Sequence, residues 1–204
     1  MKVLGLCGGS GSGKSEVCSI LSSVGIPIID ADAIYHHITS APGPCVDALR
    51  NAFGSGVVIN GALDRKALAD LVFGSSDSEK LLAKLNSITH PFVLSELEDE
   101  IKKNEEKKYK AVAVDIPLLF ESGFDKRCDI TVAVLADTEV RISRIVNRDG
   151  ISREAAIKRI NSQIDNDKLA RLTDFQIINN SDFDELRSLV FELLEKINIC
   201  FERK

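Results

Sequence analysis

Gly8-Gly9-Ser10-Gly11-Ser12-Gly13-Lys14-Ser15 is the stretch on which the reading of this chain turns. It matches G-x-x-x-x-G-K-[ST] in full, follows the β-rich run Lys2 to Cys7 and precedes an amphipathic pattern over about 14–24. Glycines let a backbone curl until successive N–H groups point inward, and such a cradle lies on the positive end of the following helix dipole. An anion of phosphate size fits there. Lys14 would bring a full charge to the β- and γ-phosphates of a nucleotide, and the Ser15 hydroxyl would ligate Mg2+ bridging the same oxygens. A glycine turn that merely joined strand to helix would have no need of Gly-Lys-Ser in that order.

Four more β-rich runs follow, at Ile26 to Ile29, Ala111 to Asp115, Ile130 to Ala136 and Phe175 to Ile178. They alternate with helical patterns at about 14–24, 33–40, 45–53, 65–73, 78–103, 138–148, 152–164 and 183–199. The alternation predicts an α/β fold, a P-loop three-layer α/β/α arrangement around a five-stranded parallel sheet. About 80 residues separate the second run from the third, far more than a crossover needs. Turn sequences such as Ala41-Pro42-Gly43-Pro44, Asn60-Gly61 and Gly74-Ser75-Ser76 divide that interval into short helices. It reads as a helical insertion over about 33–107 in a single domain of residues 1–204, with a core of about 1–32, 108–142 and 172–204.

Composition narrows the function classes. With 204 residues, 44% hydrophobic and 28% charged, the chain is ordinary globular material, neither disordered nor fibrous. Its net charge of −5 is poorly suited to a phosphate backbone, so no nucleic-acid partner is expected. Cys7, Cys18, Cys45, Cys128 and Cys200 are scattered without a C-x-x-C pair, which fits a reducing compartment rather than a disulfide framework or zinc site. The first apolar run ends at Gly8-Gly9, too short for a signal core or a membrane span. The expectation is a cytoplasmic protein with no membrane partner.

Acids and arginines then define candidate chemistry. The second run leads into Asp30-Ala31-Asp32 at the carboxyl edge of the sheet, where ligands of open α/β folds bind. Asp32 stands where the next helix starts, so it is either that helix's N-cap or a group that orients or deprotonates an acceptor hydroxyl. Ala111 to Asp115 has the form of an apolar strand ending in a metal-supporting acid, which makes Asp115 a Mg2+ candidate beside Ser15. Residues 141–171 hold eight basic and four acidic side chains, a local reversal of charge that suits polyphosphate. Arg144 and Arg148 share a helix face and can converge on one anion. The Gly150-Ile151-Ser152 break reads as a hinge, which makes the basic helices a lid candidate.

The order and spacing of further segments carry a resemblance. They are Ile29 to Asp32, Leu63-Asp64-Arg65-Lys66-Ala67-Leu68, Thr89-His90-Pro91, Asp115-Ile116-Pro117-Leu118-Leu119-Phe120-Glu121, the helix of Arg144 and Arg148-Asp149, and Asp174-Phe175 through Asn179-Asn180. Over almost its whole length the chain resembles the dephospho-coenzyme A kinases, of the P-loop nucleotide and nucleoside kinase group. The resemblance implies phosphorylation of the ribose 3′-hydroxyl of dephospho-coenzyme A from MgATP, the last step of coenzyme A synthesis. It makes Asp32 the general base, Lys14 and Arg144 charge stabilisers, and Gly11, Ser12, Gly13, Lys14, Ser15 and Glu16 the ATP phosphate site. It sets Asp32, Arg65, His90 and Pro117 against the acceptor and implies a lid near 143–168. The partners implied are small molecules, ATP and dephospho-coenzyme A, for a monomer or small homo-oligomer. Many members carry arginine four residues beyond the second Asp, where this chain has His36. A P-loop kinase with another acceptor, or a nucleotide-gated binding module, would share the loop; the latter would need a base-reading Asn/Thr-Lys-x-Asp strand end, which this sequence lacks.

Overall fold

Alternating and β-branched apolar runs become strands, and the segments between them coil into helices. The order is β1 (Lys2–Cys7), α1 (Lys14–Ser23), β2 (Ile28–Asp30), α2 (Ala31–Thr39), α3 (Pro44–Phe53), β3 (Val58–Ile59), β4 (Ala62–Leu63), α4 (Arg65–Phe73) and α5 (Ser78–Glu106). It continues with β5 (Ala111–Asp115), β6 (Ile130–Leu135), α6 (Thr138–Asp149), α7 (Arg153–Asn161), α8 (Asn166–Leu172), β7 (Phe175–Ile178) and α9 (Phe183–Lys196). This computed structural model describes residues 1–201. Two compact units emerge, one of Met1–Ile29 with the chain from Ile101 onward, the other of Asp30–Glu100.

The first unit is built on a five-stranded parallel sheet in the order β2-β5-β1-β6-β7. From central β1 the chain builds towards β5 and β2 on one side, then crosses to β6 and β7 on the other. The phosphate-loop stretch thus leaves β1 at the switch between the two directions, where open α/β sheets bind ligands. Val3, Val112, Val114 and Ala133 alternate with Leu4, Ala111, Ala113 and Val132, and both sets are buried. Successive strand side chains face opposite ways, so the sheet is covered on both faces. On one face Val17, Ile20 and Leu21 of α1 meet Leu186, Val190, Leu193 and Leu194 of α9.

Local signals set the helix ends. Asp182 caps α9 by accepting from Glu185 N at 3.0 Å, and Gly25 follows α1 at φ 83°, as a C-terminal glycine should. The second unit has its own core of Cys45, Leu49, Val57, Leu63, Leu68 and Val72. In it, Asn60 (φ 52°) and Gly61 (φ 81°) turn a two-stranded hairpin of β3 and β4. Among the described residues no helix is long and apolar enough to cross a membrane.

Candidate active site

Between β1 and α1 the backbone curls. Gly13 lies at φ 93°, where a side chain would cost about 1–2 kcal/mol. Its Cβ would also stand 2.0 Å from Asn179 Nδ2, so backbone and neighbour both demand glycine. Gly11, at φ 78°, is equally constrained, since its Cβ would meet the Arg141 carbonyl oxygen at 2.7 Å. Ser12 N donates to Gly9 O at 3.1 Å inside the curl. A curl of this kind on a helix N-terminus is an anion cradle.

Side chains from the same unit hold the loop's carbonyls. Asn179, buried at the end of β7, donates from Nδ2 to Ser12 O at 2.9 Å. Arg144 of α6 donates from Nη1 to Asn179 O at 3.0 Å and, more distantly, to Gly11 O at 3.4 Å and Ser12 O at 3.5 Å. Arg141, one turn earlier and buried, donates from Nε to Ser10 O at 3.0 Å; burial lowers its pKa from the ordinary arginine value. The shared helix face of Arg144 and Arg148 does not bring them to one place. Arg148 forks onto Asp149 at 2.7 and 3.0 Å, and Arg159 engages the same carboxylate. Those hydrogen bonds, from Arg148 and then Arg159, hold the Asp149 carboxyl down at about 2.

β5 pairs with β1 so that Asp115 stands beside Leu6. That register sets its carboxylate near the root of the loop, where it forms an ion pair with Lys14 and accepts from the Cys18 thiol at 3.8 Å. The Lys14 and Asp115 side chains are only 16% and 14% exposed, so water screens the pair weakly. Ser15 is exposed in the first turn of α1, and Glu16 follows it. A hydroxyl and a carboxylate are hard oxygen donors of the kind Mg2+ takes alongside phosphate oxygens, so Ser15 and Asp115 fit that ion. Pro117, exposed, opens the turn after β5.

In the second unit, Asp30 rather than Asp32 caps α2. Its Oδ1 accepts from Asp32 N at 2.8 Å and Ala33 N at 3.0 Å, which leaves Asp32 in the first turn with an exposed side chain. Arg65 opens α4 behind Asp64, whose carboxylate accepts from Ala67 N at 3.0 Å. Arg65 Nη2 donates to His36 O at 3.0 Å and Thr39 Oγ1 at 3.1 Å, and Nη1 meets His36 Nε2. His90 is half-buried within α5, and Pro91 continues that helix rather than ending it.

The family model for dephospho-CoA kinase matches residues 2–185. The chain belongs to the dephospho-CoA kinase family. A dephospho-CoA kinase of Fusobacterium nucleatum is 39% identical over 196 residues, 96% of this chain and 98% of that one. A Thermus thermophilus protein of known crystal structure superposes with a TM-score of 0.80 at 32% identity, over 96% of this chain and 97% of that one. The dephospho-CoA kinase of Campylobacter jejuni gives a TM-score of 0.71 at 28% identity, over 97% and 98% of the two chains. As a family member the protein is a P-loop kinase, and the family reaction is ATP-dependent phosphorylation of dephospho-CoA in coenzyme A biosynthesis.

For this dephospho-CoA kinase family member, one unit gathers Gly11 to Glu16, Lys14, Asp115 and Arg144, while Asp32, Arg65 and His90 belong to the other. The sequence alone assigns no role at the loop to Asn179 or to Gln163, whose Oε1 accepts from Ser10 N at 3.0 Å. Asn179-Asn180 closes the last strand and was visible only as part of the family pattern. Gln163 is a lone amide in a polar run and carries no local signal.

Proposed function

We propose that this kinase transfers the γ-phosphoryl group of ATP to the ribose 3′-hydroxyl of dephospho-CoA, with Asp32 as general base. The observation that carries the reading is the Gly11–Ser15 curl on the N-terminus of α1, with Lys14 paired to Asp115 beside it. Backbone N–H groups from Gly11 to Glu16 hold the phosphates, and Lys14 exchanges its carboxylate partner for their oxygens. Arg144, fixed by Asn179 against the loop, stabilises charge on the transferred group. Asp32 accepts the acceptor's proton, a role its exposure and the capping of α2 by Asp30 leave open to it. Arg65, His90 and Pro117 contact the acceptor.

Ser15 and Asp115 would hold Mg2+, which when bound neutralises charge on the β- and γ-phosphates. The segment 143–168 acts as a lid. In support, buried Ile142, Ile145, Ala156 and Ile160 join α6 and α7 into one piece, and Gly150 turns the chain between them at φ 65°. The insertion of about 33–107 serves to bind the acceptor, and the enzyme works in the cytoplasm on small molecules.

The test is ADP release with MgATP against dephospho-CoA, AMP, CMP, UMP, shikimate and no acceptor. Turnover that requires dephospho-CoA and yields coenzyme A is expected. Equal turnover with another acceptor, or with none, overturns the assignment.

A further inference from the structure

Gly9 occupies a position that the phosphate-loop pattern leaves open, yet a side chain there would have to push Arg141 aside. A Cβ would lie 2.2 Å from Arg141 Nη2 and 3.0 Å from Gln163 Oε1. Those two side chains close a circuit on the neighbouring residue, Ser10. Gln163 Oε1 accepts from Ser10 N at 3.0 Å, and Gln163 Nε2 donates to Ser10 Oγ at 3.0 Å. Arg141 Nη2 donates to the same Gln163 Oε1 at 2.9 Å, while Arg141 Nε donates to Ser10 O at 3.0 Å. The N–H, carbonyl and hydroxyl of Ser10 are therefore all engaged. Asn166 extends the circuit, accepting from Arg141 Nη1 at 3.4 Å and donating to Ala136 O at 2.9 Å, just past β6.

We propose that Gln163 is a positioning residue for nucleotide binding, which sets the first turn of the phosphate loop through Ser10 and Arg141. The inference rests on the nucleotide-binding reading of that loop. A loop already held in its working curl gives up less conformational freedom when a ligand arrives, and that difference appears in affinity. Gln163 lies after the last turn of α7, in the link to α8. It thereby ties the link between α7 and α8 to the phosphate loop.

The test uses the full chain as wild type, Gln163→Leu, Gln163→Glu, Ser10→Ala and the Gln163→Leu/Ser10→Ala double variant. MgADP binding is measured by calorimetry, alongside steady-state kinetics with ATP and dephospho-CoA. Gln163→Leu is expected to raise the Kd for MgADP and the KM for ATP about tenfold, about 1.4 kcal/mol at 25 °C. The KM for dephospho-CoA and the Tm stay at wild-type values, because Gln163 is exposed and packs in no core. Gln163→Glu recovers most of the affinity, since a carboxylate still accepts from Ser10 N and Arg141 and can accept from the Ser10 hydroxyl. In the Ser10→Ala background the leucine effect shrinks. A Gln163→Leu Kd within twofold of wild type overturns the proposal, as does a glutamate variant as impaired as the leucine one or a parallel rise of both KM values with a lowered Tm. Wild-type turnover of dephospho-CoA in the same series tests the activity itself separately.

Discussion

Replacing Gly13 by alanine should damage this protein through two separable effects. The first is backbone strain: at φ 93° an L side chain costs about 1–2 kcal/mol. The second is displacement of Asn179, whose Nδ2 would lie 2.0 Å from the new methyl group. If Asn179 moves, the buried hydrogen bond to Ser12 O, 2.9 Å long, is lost at about 1–3 kcal/mol. Together these give about 2–5 kcal/mol, and at roughly 2–4 °C per kcal/mol for a chain of this size Tm should fall by about 4–20 °C. In an Asn179→Ala background the second effect is already absent, so Gly13→Ala should then cost only about 1–2 kcal/mol. Thermal and urea unfolding of the four chains measures this cycle directly. Equal costs of Gly13→Ala in the two backgrounds would refute the steric account, and a cost below about 1 kcal/mol in the wild type would refute the strain account as well.

Three other outcomes are expected. Asp32→Asn should bind MgADP normally and unfold at the wild-type temperature, yet lose about 10²–10⁴-fold in kcat, whereas Asp30→Ala should cost about 0.5–2 kcal/mol of stability through the lost cap; near-normal turnover of Asp32→Asn removes it from the chemistry. Burial pushes the Cys7 and Cys128 thiols up to about 12, so both should stay protonated and resist alkylation at pH 8 while exposed Cys200 is labelled; mass spectrometry showing early labelling of Cys7 or Cys128 in the native protein contradicts this.

Much of the sheet was legible because its strands are read by residue type alone. Lys2–Cys7, Ala111–Asp115 and Phe175–Ile178 fold over the ranges their apolar runs mark. Strand order is different in kind. It depends on which edges meet in three dimensions, and no periodicity encodes the arrangement β2-β5-β1-β6-β7. The short helix α8 escaped because Asn166–Leu172 is too brief and polar to show a helical stripe, and only the cap from Asp165 to Lys168 N marks its start. Asn60-Gly61 was legible as a turn but not as a hairpin, since its flanking strands have two residues each. At the site, the motif declared Lys14, Ser15 and the glycines, while Asp32 was legible as either the cap of the next helix or a group that takes a proton. Geometry decided in favour of Asp30, whose side chain reaches two N–H groups of the first turn. The arginines followed the same logic: charge count marked the helix, but only packing distinguishes Arg141 under the loop from Arg148 on Asp149.

The tight approach of Arg141 to Gly9 also constrains how this sequence can drift. A position that a motif treats as interchangeable is here coupled to a partner far along the chain, so a side chain at 9 requires the guanidinium at 141 to move and its hydrogen bonds to Ser10 and Gln163 to be remade. Substitutions at Gly9 should therefore be tolerated better where residue 141 is short than in the native background, and the order in which the two positions change matters to the paths open to the sequence.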